Sequence, residues 1–192
     1  LKRDMEKTIC GNTAKNAGNA TTARQTGGFE TWIETNVSRG TNGAGAGNGA
    51  APTDGTQRAF TEAILKDVQQ LCFDNGGEPT MLVVGSHVKG VVSGFTGRAS
   101  ARQMIDATAI EASVSVYSGD FGELKVMPSN FSRGRTALFI DPDFAKVSYL
   151  RDFETVDIST IGDAQTKMLI VEYGLECSNE KAHGLAADLS TS

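Results

Sequence analysis

Residues Gln165 to Cys177, Gln-Thr-Lys-Met-Leu-Ile-Val-Glu-Tyr-Gly-Leu-Glu-Cys, form a stretch without proline that reads as one long β-strand. Side chains alternate along a strand, so Leu169, Val171, Tyr173, Leu175 and Cys177 share one face. The other face passes from Met168 and Ile170 to Glu172, Gly174 and Glu176, so burial is expected to change partway along. A typical strand has about 5–6 residues, whereas this one reaches about 43 Å at roughly 3.3 Å per residue. One compact core of this size does not need that length. The expectation is a strand that ties two lobes together, which suits a building block better than a catalytic cup.

A chain of 192 residues can be one domain or two small lobes, and its 39% hydrophobic and 21% charged residues suit a folded protein. Glycine stands out at 22 residues, about 11% against a usual ~7%, with much of the excess in one loop. The net charge of −5 argues against a dedicated nucleic-acid binder, which usually presents a basic surface. The most apolar runs, Met81 to Val84 and Met168 to Val171, are too short to span a bilayer, and no secretion signal opens the chain. Cys10, Cys72 and Cys177 fit neither a zinc module nor a disulfide framework, so reduced thiols packed in the core are expected.

Leu1, Met5 and Ile9 recur at helical spacing, and Gly11-Asn12 is a good stop. No N-cap residue precedes Leu1, so the reading is of a chain that opens inside a helix. Residues 12 to 27 read as irregular, with Phe29, Trp32 and Ile33 forming an apolar patch. Gly40 to Gly49 reads as a flexible linker by composition. Asp54 with Gln57 resembles a capping box before a helix whose apolar face is Phe60, Ile64, Leu65, Val68, Leu71 and Cys72. Glu62 and Lys66 sit at i, i+4 on its outside, and Asn75-Gly76-Gly77 ends it. A short strand over 81–84 leads to a brief helix with Ser86 as N-cap, and Ser100 with Gln103 suggests another start. A hairpin is expected around Ser118-Gly119-Asp120, between Val114 and Val116 on one side and Leu124 and Val126 on the other. Strands over 136–140 and 145–150, the long strand, and a polar tail with Ala182-His183-Gly184 complete an α+β chain.

Each cluster that invites a chemical role also has a plainer reading. Gly45, Gly47 and Ala50 match G-x-G-x-x-A, but that motif cradles phosphate only between a strand and the helix it feeds. A Gly/Asn tract precedes it and Pro52 to Gly55 separate it from the helix, so a linker is preferred. Ser86-His87 could be a nucleophile and base, yet adjacent residues seldom point at each other and G-x-S-x-G is absent. His87 and His183 are far apart and lack the spacing of a metal site. Asp141 and Asp143 flank Pro142 as turn residues do, and nothing supports an acid–base pair there. Arg133-Gly134-Arg135 reads as a solvated loop or subunit contact. No catalytic, cofactor-binding or metal residues are assigned, and the balance moves toward a structural role.

Five ordered segments carry a resemblance: Leu1-Lys-Arg-Asp-Met5; Gly55-Thr-Gln-Arg-Ala-Phe-Thr-Glu-Ala63; Val83-Val-Gly85 with Val88-Lys-Gly-Val-Val-Ser-Gly-Phe95; Phe121-Gly-Glu-Leu-Lys-Val126; and Leu169-Ile-Val-Glu-Tyr173 through Asn179-Glu-Lys-Ala-His-Gly184. Together they resemble the major capsid proteins of tailed bacteriophages and prophages, which have the HK-97-like fold, over essentially the whole chain. The resemblance implies a discontinuous P-domain over 1–53 and 158–192, with the end of a spine helix at Leu1 to Ile9 and the long strand, and without the N-terminal arm and E-loop. It implies an A-domain over 54–157 with a mixed sheet and flanking helices. It assigns no crosslinking residues, because Thr166-Lys167 occupies the neighbourhood of the expected asparagine.

The implied function is that of a non-enzymatic head-shell subunit. Hexamers and pentamers of it would tile an icosahedral shell around double-stranded DNA without reading its sequence. Scaffold, portal and decoration proteins are the implied partners, with no membrane and no cofactor. The implied location is the virion, and the bacterial cytoplasm during assembly. Two rivals are an encapsulin-like compartment shell, which shares the fold, and a small hydrolase using Ser86 or the Asp141/Asp143 pair.

Overall fold

The computed structural model describes residues 1–45, 47–95, 116–159, 162–163 and 165–192. Its central strand is β2 (Met81–Val84), four consecutive apolar residues with no polar face. Such a strand needs cover on both sides. Numbering in chain order, the mixed sheet also takes β1 (Val37–Ser38), β3 (Val116–Gly119), β4 (Gly122–Pro128), β5 (Ala137–Ile140) and β8 (Gly184–Ala186), in the order β1-β8-β5-β2-β4-β3. The pairs β1/β8 and β2/β4 are parallel; β2/β5, β3/β4 and β5/β8 are antiparallel.

Strand alternation divides the buried side chains between two cores. On one face Leu82, Val84, Ala137, Phe139, Leu124 and Val126 meet Leu65, Val68 and Cys72 of α2 (Glu62–Asp74) and Val88 and Val92 of α3 (Ser86–Ser93). On the other, Val83, Leu138, Ile140 and Leu185 pack with Phe29, Ile33 and Ala187, and Ile9 of α1 (Lys2–Ile9) joins them. Leu138 and Phe139 are neighbours in sequence and lie on opposite sides of the sheet. The apolar patch at Phe29 and Ile33 thus seals the second core through a 3-10 turn over Phe29–Thr31.

The long strand is present as β7 (Thr166–Cys177), and it is paired rather than covered. Its partner is β6 (Ala145–Ile158), which runs well past the expected end at residue 150. The two make a separate antiparallel ribbon, with Val147 opposite Leu175, Tyr149 opposite Tyr173 and Ile158 opposite Thr166. Leu175 and Ala145 pack against the second core, whereas Thr166 to Leu169 are exposed. The boundary expected at 158 falls at the far end of this ribbon. The expected division puts β1 and its partner β8 in one unit and β2 to β5 of the same sheet in the other.

Several local expectations are corrected. Helix α2 starts at Glu62 and not after Asp54; its N-cap is Thr61, whose side chain accepts from the Ile64 amide. Residues 55 to 60 are instead drawn out along the sheet, with the Arg58 amide donating to the Asp188 carbonyl at 2.8 Å. The cap of α3 is Gly85, not Ser86. The end of the chain is no polar tail: Ala182 to Leu189 are buried and include β8. Small side chains there let the backbone pass beneath α2, since a Cβ on Gly184 would lie 2.7 Å from Cys72 Sγ. The expected helix start at Ser100 and Gln103, and Val114 of the expected hairpin, lie outside the described residues.

Candidate interaction surfaces

The residues with catalytic potential are dispersed. Ser86 is exposed on the first turn of α3, His87 is half-buried beside it, and no hydrogen bond joins them. Asp141 caps the turn Pro142–Phe144 by accepting from the Asp143 amide at 3.0 Å, the Asx geometry expected of Asp-Pro-Asp. Asp143 faces solvent. His183 is fully buried and far from His87 in the fold: its Nδ1 accepts from the Asp141 amide at 3.2 Å. Burial pushes the Cys72 thiol up to about 12 and Cys10 to about 11, and it also raises Cys177, so all three stay protonated near neutral pH. Cys177 is only half-buried, outside the core expected for it. Among the described residues no group of three or more His, Cys, Asp or Glu is placed to hold a metal. Nor, among them, is any helix long and apolar enough to cross a membrane.

The glycine-rich segment is held in place rather than free. Ala44 and Thr53 bridge across it, and the buried Asp188 carboxylate accepts from the amides of Gly40 at 3.0 Å and Gly55 at 2.6 Å. No helix opens from Gly45, Gly47 and Ala50, so their amides have no phosphate-binding geometry. The same Asp188 anchors the Arg133-Gly134-Arg135 cluster. Arg135 Nη2 lies 3.3 Å from Asp188 Oδ1 and donates to the Gly55 carbonyl at 2.7 Å. Arg133 reaches Glu30 at 2.8 Å and both oxygens of Asp54 at 2.9 and 2.7 Å.

Glu30 is buried, and desolvation raises its pKa while Arg133 opposes the shift. The Asp54 carboxyl is held below its ordinary value, chiefly by the hydrogen bonds from Arg133. Removing Arg133 leaves the buried Glu30 carboxylate without its ion partner, a change that costs at most about 3–5 kcal/mol when both partners are buried. Both arginines therefore brace segments distant in sequence. Sequence offers no sign of this, because residues 30, 54 and 188 meet only through the fold.

Among the exposed apolar side chains of the described residues, two groups stand out. One is an aromatic pair, Phe73 of α2 against Phe121 beside β4, with ring centroids 5.5 Å apart. The other is the distal β6–β7 ribbon, which exposes Ile158, Met168 and Leu169. A two-stranded ribbon is marginal on its own in water, so an exposed apolar one points to a surface made for contact. A depression at its tip, lined by Asp157, Ile158, Ser159, Gln165, Thr166 and Lys167, is shallow and open.

Comparison with known families places the chain. Residues 1–190 match the family described as SU10 major capsid protein. The chain belongs to that family. It is a phage major capsid protein, a structural component of the virion capsid. The match does not favour the compartment-shell or hydrolase readings. No curated protein shows a significant match to the chain. The family implies assembly of the subunit into an oligomeric shell, built from contacts between copies.

Proposed function

We propose that this capsid subunit has the HK-97-like fold and assembles as hexamers and pentamers into an icosahedral head around double-stranded DNA. The family match over residues 1–190 carries the proposal. The mixed sheet with helices on it, and a long two-stranded ribbon leaving it, are its structural support. In this reading residues 54–157 form the A-domain, and 1–53 with 158–192 form the P-domain. The subunit has no catalytic role. It meets DNA without sequence preference, and its net charge of −5 keeps the wall from holding the genome tightly. Scaffold, portal and decoration proteins are its proposed partners, and assembly takes place in the bacterial cytoplasm. The protein, expressed and purified, should form rings or closed shells in negative-stain electron micrographs. A protein that stays monomeric overturns the proposal.

A further inference from the structure

The two edges of the β6–β7 ribbon are unlike. β6 carries register shifts between Tyr149 and Arg151 and between Arg151 and Glu154, and Asp152 Oδ1 takes the Phe153 amide at 2.7 Å. The Lys2 ammonium lies 5.7 Å from the Phe153 ring on the same strand. Bulges and side-chain caps of this kind keep an edge from pairing. β7 has neither. It pairs without irregularity from Thr166 to Ile170 and contains no proline.

The Leu175 amide fixes which groups of β7 face outward. It donates to Thr26 Oγ1 at 3.0 Å, away from β6. By the two-residue period of a strand, the amides of Tyr173, Val171, Leu169 and Lys167 point the same way. Among the described residues no group of the subunit accepts them on that side. Apolar side chains flank this open row: Leu169 is 51% exposed, Met168 44% and, across the ribbon, Ile158 43%. An edge that is regular, apolar and unblocked is what β-augmentation requires.

We propose that the β7 edge from Lys167 to Tyr173 receives a second copy of this chain as an added strand. The occupant follows from the capsid reading, on which this inference rests: a shell is made of repeated contacts between identical subunits. Backbone pairing of modest strength, repeated around the shell, suffices to hold such an assembly. Proline at 169 tests the edge selectively, because the Leu169 amide does not face β6 and the ribbon ladder keeps its bonds.

The experiment is residue-resolved hydrogen exchange on dissociated subunits and on assembled particles of the protein, with Leu169→Pro alongside. The amides of 167, 169, 171 and 173 should exchange at least about tenfold more slowly in particles. Leu169→Pro should keep the far-ultraviolet circular dichroism of the wild type and lose most particle formation. Equal exchange in both states overturns the edge assignment and leaves the capsid reading standing, as does a proline variant that assembles normally. Protection that appears only when another virion protein is added overturns the choice of a second copy. A wild-type protein that never assembles overturns both readings.

Discussion

His183 has no exposed surface, and its ring meets Phe29 edge-on with centroids 5.5 Å apart. Because Nδ1 accepts the Asp141 amide, the proton of the neutral ring sits on Nε2. Burial pulls its pKa below the ordinary 6.5. The folded chain therefore takes up this proton at lower pH than the unfolded chain does. Its contribution to stability is complete above about pH 6.5 and is lost as pH falls toward the folded value, at no more than about 1.4 kcal/mol per pH unit. His183→Gln does not titrate there. Urea unfolding at about pH 7.5 and about pH 5.5 should show wild type losing ground to the variant on acidification, and a difference that stays constant would refute this assignment. At this scale sequence was informative about what residues are and silent about what they meet. The Asx turn at Asp141 is local and was legible, since its partner is two residues away. The partners of Arg133, namely Glu30 and Asp54, lie about 80 to 100 residues off, and no local pattern announces them.

Helices and strands were legible where their own periodicity determines them. β2 over 81–84, the α2 stop at Asn75 and Gly76, and the Glu62–Lys66 pair at 2.9 Å all depend on near neighbours. β8 was not legible, because Gly184-Leu-Ala-Ala187 is short and becomes a strand only by lying between β5 and β1. The second half of β6 lies beyond the expected strand for another reason: Arg151, Asp152, Glu154 and Asp157 put charge on both faces, yet they tolerate a strand whose faces stay wet. Two glycines in these strands test the packing. A Cβ on Gly184 would meet both Cys72 Sγ and Val68 Cγ1 at 2.7 Å, so Gly184→Ala should lower unfolding free energy by about 1–3 kcal/mol through overpacking. At Gly174 in the ribbon nothing lies within 4 Å of that position. Gly174→Ala should therefore be neutral or slightly stabilising, within about 0.5 kcal/mol, by restricting the unfolded chain. Chemical denaturation of the two variants distinguishes them, and equal losses would mean that β8 does not lie against α2 as described.

At the largest scale, the described residues form a sheet acting as a wall between two cores, with a ribbon rooted in one of them. That arrangement predicts two levels of stability. Leu138 and Phe139 have no exposed surface and anchor opposite faces through adjacent residues of one strand. Losing either face removes support from the strand that holds the other. Leu138→Ala and Phe139→Ala should each cost about 2–5 kcal/mol and speed exchange of β2 and β5 amides on both sides together. The distal ribbon shares little of this: Arg151 pairs with Glu172 at 2.6 Å, but both are exposed, and no core covers Thr166 to Leu169. In the dissociated subunit its amides should open by a local route, faster than those of β2, and at the same rate in wild type and in either core variant. Exchange that accelerates in the ribbon along with β2 would show one cooperative unit instead. A ribbon that opens independently before assembly and becomes protected within it couples local order to shell formation, so part of the ordering cost falls on the contact itself.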